Sequence, residues 1–136
     1  MIFVDSNVPM YLVGVDHPYK VEARRWLERL ATEQQRLVTS SEVFQEILHR
    51  YVSIRRREAI EDAFRTLRGI VDEVLAVEEG DVFAARTLVQ ANLRLSARHA
   101  IHVAVMQRHG MNTVFSFDAG FDLVAGMNRI PSARRA

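Results

Sequence analysis

The feature that most constrains this chain is the recurrence of very short β-type apolar runs, each leading into a helix. Residues 2 to 4, IFV, meet Asp5, Ser6 and Asn7, residue types that cap helices, before VPMYLVG runs to Gly14. In HPYKVEARRWLERLATEQ the apolar residues Val21, Ala23, Trp26, Leu27 and Leu30 recur at helical spacing, with charges on the opposite face. A second strand is expected at Leu37 and Val38, with Ser40 or Ser41 capping the helix that carries Glu42 and Glu46. RRREAIEDAFRTLRGI reads as a further helix, VDEVLAVE as a strand through Val74, Leu75 and Val77, and EGDVFAARTLVQANL as an amphipathic helix. A helix capped by Ser96 follows, then NTVFSFD as a strand ending on Asp118, and a short helical turn, AGFDLVAG. Strands alternating with helices at these lengths predict an α/β fold: a three-layer sandwich around a mainly parallel sheet, with ligands beyond the carboxyl ends of the strands.

At 136 residues and 49% hydrophobic content the chain supports one domain over 1–136, with a mobile tail expected from about residue 129, where Arg129, Arg134 and Arg135 lie. The net charge of +1 neither demands nor forbids a polyanionic partner, so any affinity for nucleic acid must be local. There is no cysteine, which removes disulfides and thiolate metal sites and agrees with a reducing compartment. The start MIFVDSN lacks the basic region of a signal peptide, and no apolar run approaches the roughly 20 residues that span a bilayer. A cytoplasmic location is the expectation.

Two of the expected strands close on aspartate. In a parallel sheet Asp5 and Asp118 then stand at one edge, where clustered carboxylates repel unless a cation sits between them. Hard oxygen donors favour Mg²⁺, with Mn²⁺ as the alternative, and such a centre can activate water against a phosphodiester. The competing reading is that both aspartates cap the turns that follow. Glu46 either joins this cluster or pairs with Arg50 one turn on, and Glu42 is an equally ordinary first-turn acid. Ser6 and Asn7 either orient Asp5 or cap a helix, and Asp122 is expected at the surface.

The blocks MIFVDSNVPMYLVG, LVTSSEVFQEILHRY, LSARHAIHVAVMQRHG and VFSFDAGFD together resemble those of PIN-domain proteins, in particular VapC-type toxin ribonucleases of bacterial toxin-antitoxin pairs. The resemblance covers nearly the whole chain in order and spacing. It implies a metal-dependent endoribonuclease in which Asp5, Glu46 and Asp118 are catalytic and hold Mg²⁺ or Mn²⁺, and it moves Glu42 toward the capping role. It also implies an RNA substrate, a cognate VapB-type antitoxin packed over the groove, and a homodimer or toxin-antitoxin hetero-oligomer.

One position departs from that pattern. His99 stands in the catalytic block where the family's S-A-R-D motif has aspartate. An imidazole brings a neutral nitrogen or, once protonated, a positive charge in place of a carboxylate, so Mg²⁺ should bind more weakly. His99 then either ligates a metal tolerant of nitrogen, such as Mn²⁺ or Zn²⁺, or marks a weakened or substituted site. His102, three residues on, is expected to pack or hydrogen-bond rather than ligate.

For RNA contact, Arg98 stands beside His99, and Arg55 to Arg57 form a basic junction read as solvated. Tyr11, Trp26, Leu27 and Phe44 are assigned mainly to the core. The alternatives to a toxin nuclease are a catalytically silent module binding antitoxin or RNA, which rests on His99, and a PIN nuclease of RNA processing.

Overall fold

A computed structural model describes residues 1–132. Arg134 and Arg135 of the expected tail lie outside the described residues. The elements run β1 (Ile2–Val4), α1 (Asn7–Val13), α2 (Pro18–Thr32), β2 (Leu37–Ser40), α3 (Ser41–Ser53), α4 (Ile60–Ile70), β3 (Glu73–Leu75), α5 (Glu79–Ala91), α6 (Ala97–Arg108), β4 (Thr113–Phe115) and β5 (Asn128–Ile130). Short 3₁₀ turns at Arg57–Ala59 and Ala119–Leu123 complete the order.

All strand pairs are parallel, in the order β3-β2-β1-β4-β5. Ile2, Phe3 and Val4 of the central strand are all buried, as expected for a strand covered on both faces. The chain steps outward from β1 to β2 and β3, then crosses back to lay β4 on the other side of β1. Beyond the carboxyl ends of β1 and β4 this reversal opens a crevice, the usual ligand position in an open parallel sheet.

Local signals place the helices. Ser96 accepts the His99 N–H at 3.2 Å and starts α6. Pro18 occupies the first turn of α2, where its missing N–H costs nothing, and the His17 ring nitrogen accepts from Tyr19 N. α5 starts with a reciprocal capping box between Glu78 and Asp81. Ser40 sits at the start of α3 without a side-chain cap.

The main core joins Phe3, Val4, Val38, Ile47, Leu67, Met106 and Phe115, with Trp26, Leu27 and Phe44 packed against it. A smaller cluster of Ala85, Leu95, Ala100 and Ala104 lets α5 and α6 approach closely. Arg108 joins those helices by a bidentate pair with Asp81, at 2.7 and 2.9 Å.

Three expectations need correction. β4 stops at Phe115 rather than Asp118, because Ser116 turns its hydroxyl onto Asp5 and the chain leaves the sheet. β3 ends at Leu75, short of Val77. The stretch where the tail is expected to begin holds a strand: Asn128–Ile130 is β5, and Arg129, its side chain 7% exposed, is held by Asp122 and the carbonyls of Ser116 and Pro131. Asp122 itself is exposed, as expected of a surface residue, while pairing with Arg129.

Candidate active site

Asp5 is the first residue past β1 and remains tied to the sheet, its N–H donating to the Phe115 carbonyl at 3.0 Å. Its side chain is 3% exposed. The Ser6 N–H donates to Oδ1 at 2.8 Å, while the Ser116 hydroxyl and the Asn7 amide donate to Oδ2 at 2.7 and 3.3 Å. Asn7 also donates to Ser116 Oγ and accepts the Phe117 N–H, so it staples α1 to the segment leaving β4. Ser6 and Asn7 therefore orient the acid directly rather than serving as side-chain caps.

Glu46 enters from the second turn of α3 and is 6% exposed. The Ser6 hydroxyl donates to its Oε2 at 2.9 Å, and His102 Nε2 donates to its Oε1 at 2.5 Å. His102, on α6, is fully buried, its Nε2 also lying 3.8 Å from Asp5 Oδ1. Its Nδ1 has no partner among the described residues. Asp5, Glu46 and His102 offer donor atoms that all lie within 4.8 Å of one another.

Asp118 and His99 form a second, adjacent pair. His99 Nε2 lies 3.1 Å from Asp118 Oδ2, and Asp118 Oδ1 accepts the Gly120 N–H at 2.8 Å. A side chain at Gly120 would meet the His99 ring at 2.6 Å, so the absence of a Cβ there is what lets the imidazole lie where it does. Phe121 packs on the ring at 4.5 Å between centroids.

The fold thus brings Asp5 and Glu46 together and sets Asp118 and His99 beside them on the same groove, of about 870 Å³. The residue wedged against both buried acids is His102, which the sequence reading assigned to packing or hydrogen bonding. Its signal was the H-x-x-H spacing on one helix. Ser116 left no signal, because its role depends on β4 ending early. Arg50, Arg56 and Arg98 line the groove, and Tyr11 lines it rather than filling the core. Arg56 pairs with Glu58 in an exposed ion pair, and Arg55 to Arg57 are all exposed, as expected for a solvated junction.

Burial is the strongest influence on each buried group. It raises the Asp5 carboxyl above its ordinary value, against the opposing charge of His102 and with further upward pressure from Glu46. Burial also pushes Glu46 up, but the hydrogen bond and charge of His102, with the Ser6 hydroxyl, outweigh it and hold Glu46 low. For His102, burial opposes the charged form, and its bond to Glu46 and the charge of Asp5 more than reverse this. Glu42 is raised by partial burial and stays in the first turn of α3.

Two buried carboxylates facing one imidazole leave the pocket short of positive charge. A divalent cation between the carboxylates would relieve that shortage. The residues present therefore fit a metal ion, with Asp5 and Glu46 as oxygen donors. His102 either donates its proton to Glu46 or, deprotonated, offers Nε2 as a third donor.

The PIN domain family model matches residues 2–127. The chain belongs to the PIN-domain family. Among curated PIN relatives, Ribonuclease VapC13 of Mycobacterium tuberculosis is 53% identical over 130 residues, spanning 96% of this chain and 99% of that protein. Ribonuclease VapC23 of Mycobacterium tuberculosis is 44% identical over 118 residues, 87% of this chain and 93% of the relative. The PIN fold is likewise shared with the crystal structure of Mycobacterium tuberculosis VapC20, a sarcin-ricin loop cleaving toxin. That match has TM-score 0.69 at 24% identity, over 87% of this chain and 90% of VapC20. VapBC2 of Rickettsia felis, solved bound to a promoter DNA fragment, matches at TM-score 0.72 and 15% identity, over 95% and 97% of the two chains. Among the described residues no helix is long and apolar enough to cross a membrane.

Proposed function

We propose that this chain is a metal-dependent endoribonuclease of VapC type, hydrolysing RNA phosphodiester bonds in the cytoplasm and restrained by a cognate antitoxin. The observation that carries this reading is the buried cluster of Asp5, Glu46 and His102 at the sheet's reversal point, opening on a groove lined by Arg50 and Arg98. Its support from relatives is the 53% identity to a named VapC ribonuclease.

Asp5 and Glu46 are assigned as metal-holding residues, with Asp118 at the rim. When bound, a divalent cation supplies Lewis-acid stabilisation of phosphate charge and a more acidic water. Ser6, Asn7 and Ser116 hold the two carboxylates in one orientation, so little reorganisation is needed during reaction. Arg98 and Arg50 offer charge-assisted hydrogen bonds to phosphate oxygens. Glu46, kept ionised by His102, is placed to accept a proton at Oε1 or Oε2. With His99 in place of a carboxylate the cluster attracts Mg²⁺ less strongly, so Mn²⁺, which tolerates a nitrogen donor, is the favoured ion.

A second reading is favoured by one contact: His99 occupies Asp118 Oδ2, and an Asp118 so engaged leaves a binding module that cuts slowly or not at all. Cleavage of bacterial RNA by the purified chain, with Mn²⁺, Mg²⁺ or chelator, separates the two. Metal-dependent cuts that a co-expressed antitoxin suppresses support the nuclease, and RNA binding without cuts in any metal supports the module. A homodimer or toxin-antitoxin hetero-oligomer is the proposed assembly, which sedimentation of the co-expressed pair would test.

A further inference from the structure

One feature of the groove is not used by the hydrolytic cluster. Tyr11 and His17 line it with ring centroids 4.9 Å apart and planes inclined by 33°. Tyr19, 37% exposed, meets Tyr11 edge-on at 5.2 Å and lies flat on Phe117, at 4.5 Å and 14°. Rings gathered for packing alone would be buried, yet His17 and Tyr19 are exposed.

The backbone beside Phe117, against which Tyr19 stacks, is tied to the acidic cluster. Phe117 N–H donates to Asn7 Oδ1, and the Asn7 amide donates to Asp5. His17 is held by accepting Tyr19 N–H at 3.0 Å, and the loop before it is held by Lys20, whose Nζ donates to the Gly14 carbonyl at 2.8 Å. Groups already held by such contacts have less freedom to lose when a ligand stacks on them.

Both α1 and α3 carry further groove residues beyond the cluster. On α1, Tyr11 follows Asn7 by one turn, about 6 Å along the axis, and on α3, Arg50 follows Glu46 by the same step. The groove is therefore lined by the Tyr11 and His17 rings as well as by the Arg50 cation. That pairing matches one nucleotide unit, whose base stacks while its phosphate pairs with arginine.

We propose that Tyr11 and His17 form a nucleobase-stacking subsite that takes an unpaired base of the RNA strand next to the bond to be cut. The inference rests on the nuclease reading and deepens it. A base inside a duplex cannot offer its face to these rings, so the subsite takes only an unpaired one.

The test uses a short single-stranded RNA carrying one 2-aminopurine, titrated with the full chain in chelator so that the strand stays intact. Fluorescence quenching reads stacking, and anisotropy reads affinity. Tyr11→Phe keeps a ring and should keep both signals. Tyr11→Leu and His17→Asn remove one ring each, the asparagine retaining an acceptor for Tyr19 N–H, and each should lose quenching and at least about fivefold in affinity. A blunt duplex of the same sequence should bind without quenching. Should Tyr11→Leu fail to fold, as read by its melting curve, His17→Asn alone decides. Wild-type quenching that survives in the decisive variants overturns the subsite, as does unaltered RNA binding in variants that instead lose the antitoxin. If the wild-type chain neither binds nor cuts RNA, the nuclease reading falls as well, which distinguishes the two failures.

Discussion

His102 Nε2 lies 2.5 Å from Glu46 Oε1, joining the middle of α6 to the second turn of α3 inside the acidic cluster. The contact offsets part of the negative charge that Asp5 and Glu46 bring into the buried pocket, and it fixes which way Glu46 points. Replacing His102 by Gln removes the ring that orients Glu46. Metal affinity and cleavage should then fall by roughly 10–100-fold, the usual scale for a group that orients a ligand. His102→Ala should cost more, since Glu46 also loses its buried partner. Calorimetric titration with Mn²⁺ and initial cleavage rates check both statements.

His99→Asp adds a fourth carboxylate beside Asp118. Without metal the added repulsion should lower the melting temperature, and with metal it should be relieved, so the two curves diverge. Mn²⁺ or Mg²⁺ affinity should rise at least about tenfold, with Mg²⁺ gaining more because the donor set becomes richer in oxygen. Thermal melts with and without each ion provide the check, and equal metal-induced shifts in both proteins would refute it.

Gly120→Ala places a methyl 2.6 Å from the His99 ring and 3.1 Å from Asp118 Oδ1. Overpacking should destabilise the protein by about 1–3 kcal/mol. In a His99→Ala background the larger of these clashes disappears, so the penalty should shrink well below that seen with His99 present. Denaturant unfolding of the two single variants and the double variant measures this coupling.

The Asp81–Arg108 pair gives a pH signature away from the groove. Hydrogen bonds from Arg108 hold the Asp81 carboxyl below its ordinary value of 3.8. With the folded value lower than the unfolded one, the pair's stabilisation is fully present above about pH 4 and is lost as pH falls through the folded value. Asp81→Asn should therefore melt a few degrees lower at neutral pH and show a shallower decline in acid than the wild type. Melting temperatures between neutrality and pH 3 report both effects.

Much of this architecture was legible because its causes are local. β1 could be read from three apolar residues meeting a capping trio, and α6 from Ser96. Asp5 follows its strand directly, so its place at the sheet edge came with the strand. Glu46 could be placed only by pattern, since its rivals Glu42 and Arg50 share its helix. Asp118 was displaced from the expected strand end because Ser116, whose partner Asp5 is 111 positions away in sequence, takes the chain out of β4 early. The same long separation hid the Glu46–His102 contact, 56 positions apart. β5 was invisible because three residues, NRI, carry no alternation, and Arg129 is buried only through Asp122 and two carbonyls.

The most direct measurement is the Mn²⁺-dependent rate of RNA cleavage by the wild-type chain beside Asp5→Asn and Glu46→Gln, with Mn²⁺ binding titrated on the same three preparations. The account predicts that chelator abolishes wild-type cleavage and that each substitution lowers both rate and metal affinity, the rate by at least about a hundredfold. Cleavage that persists in chelator, or variants that bind Mn²⁺ and cut RNA as the wild type does, would contradict the assignment of Asp5 and Glu46 as the metal-holding centre.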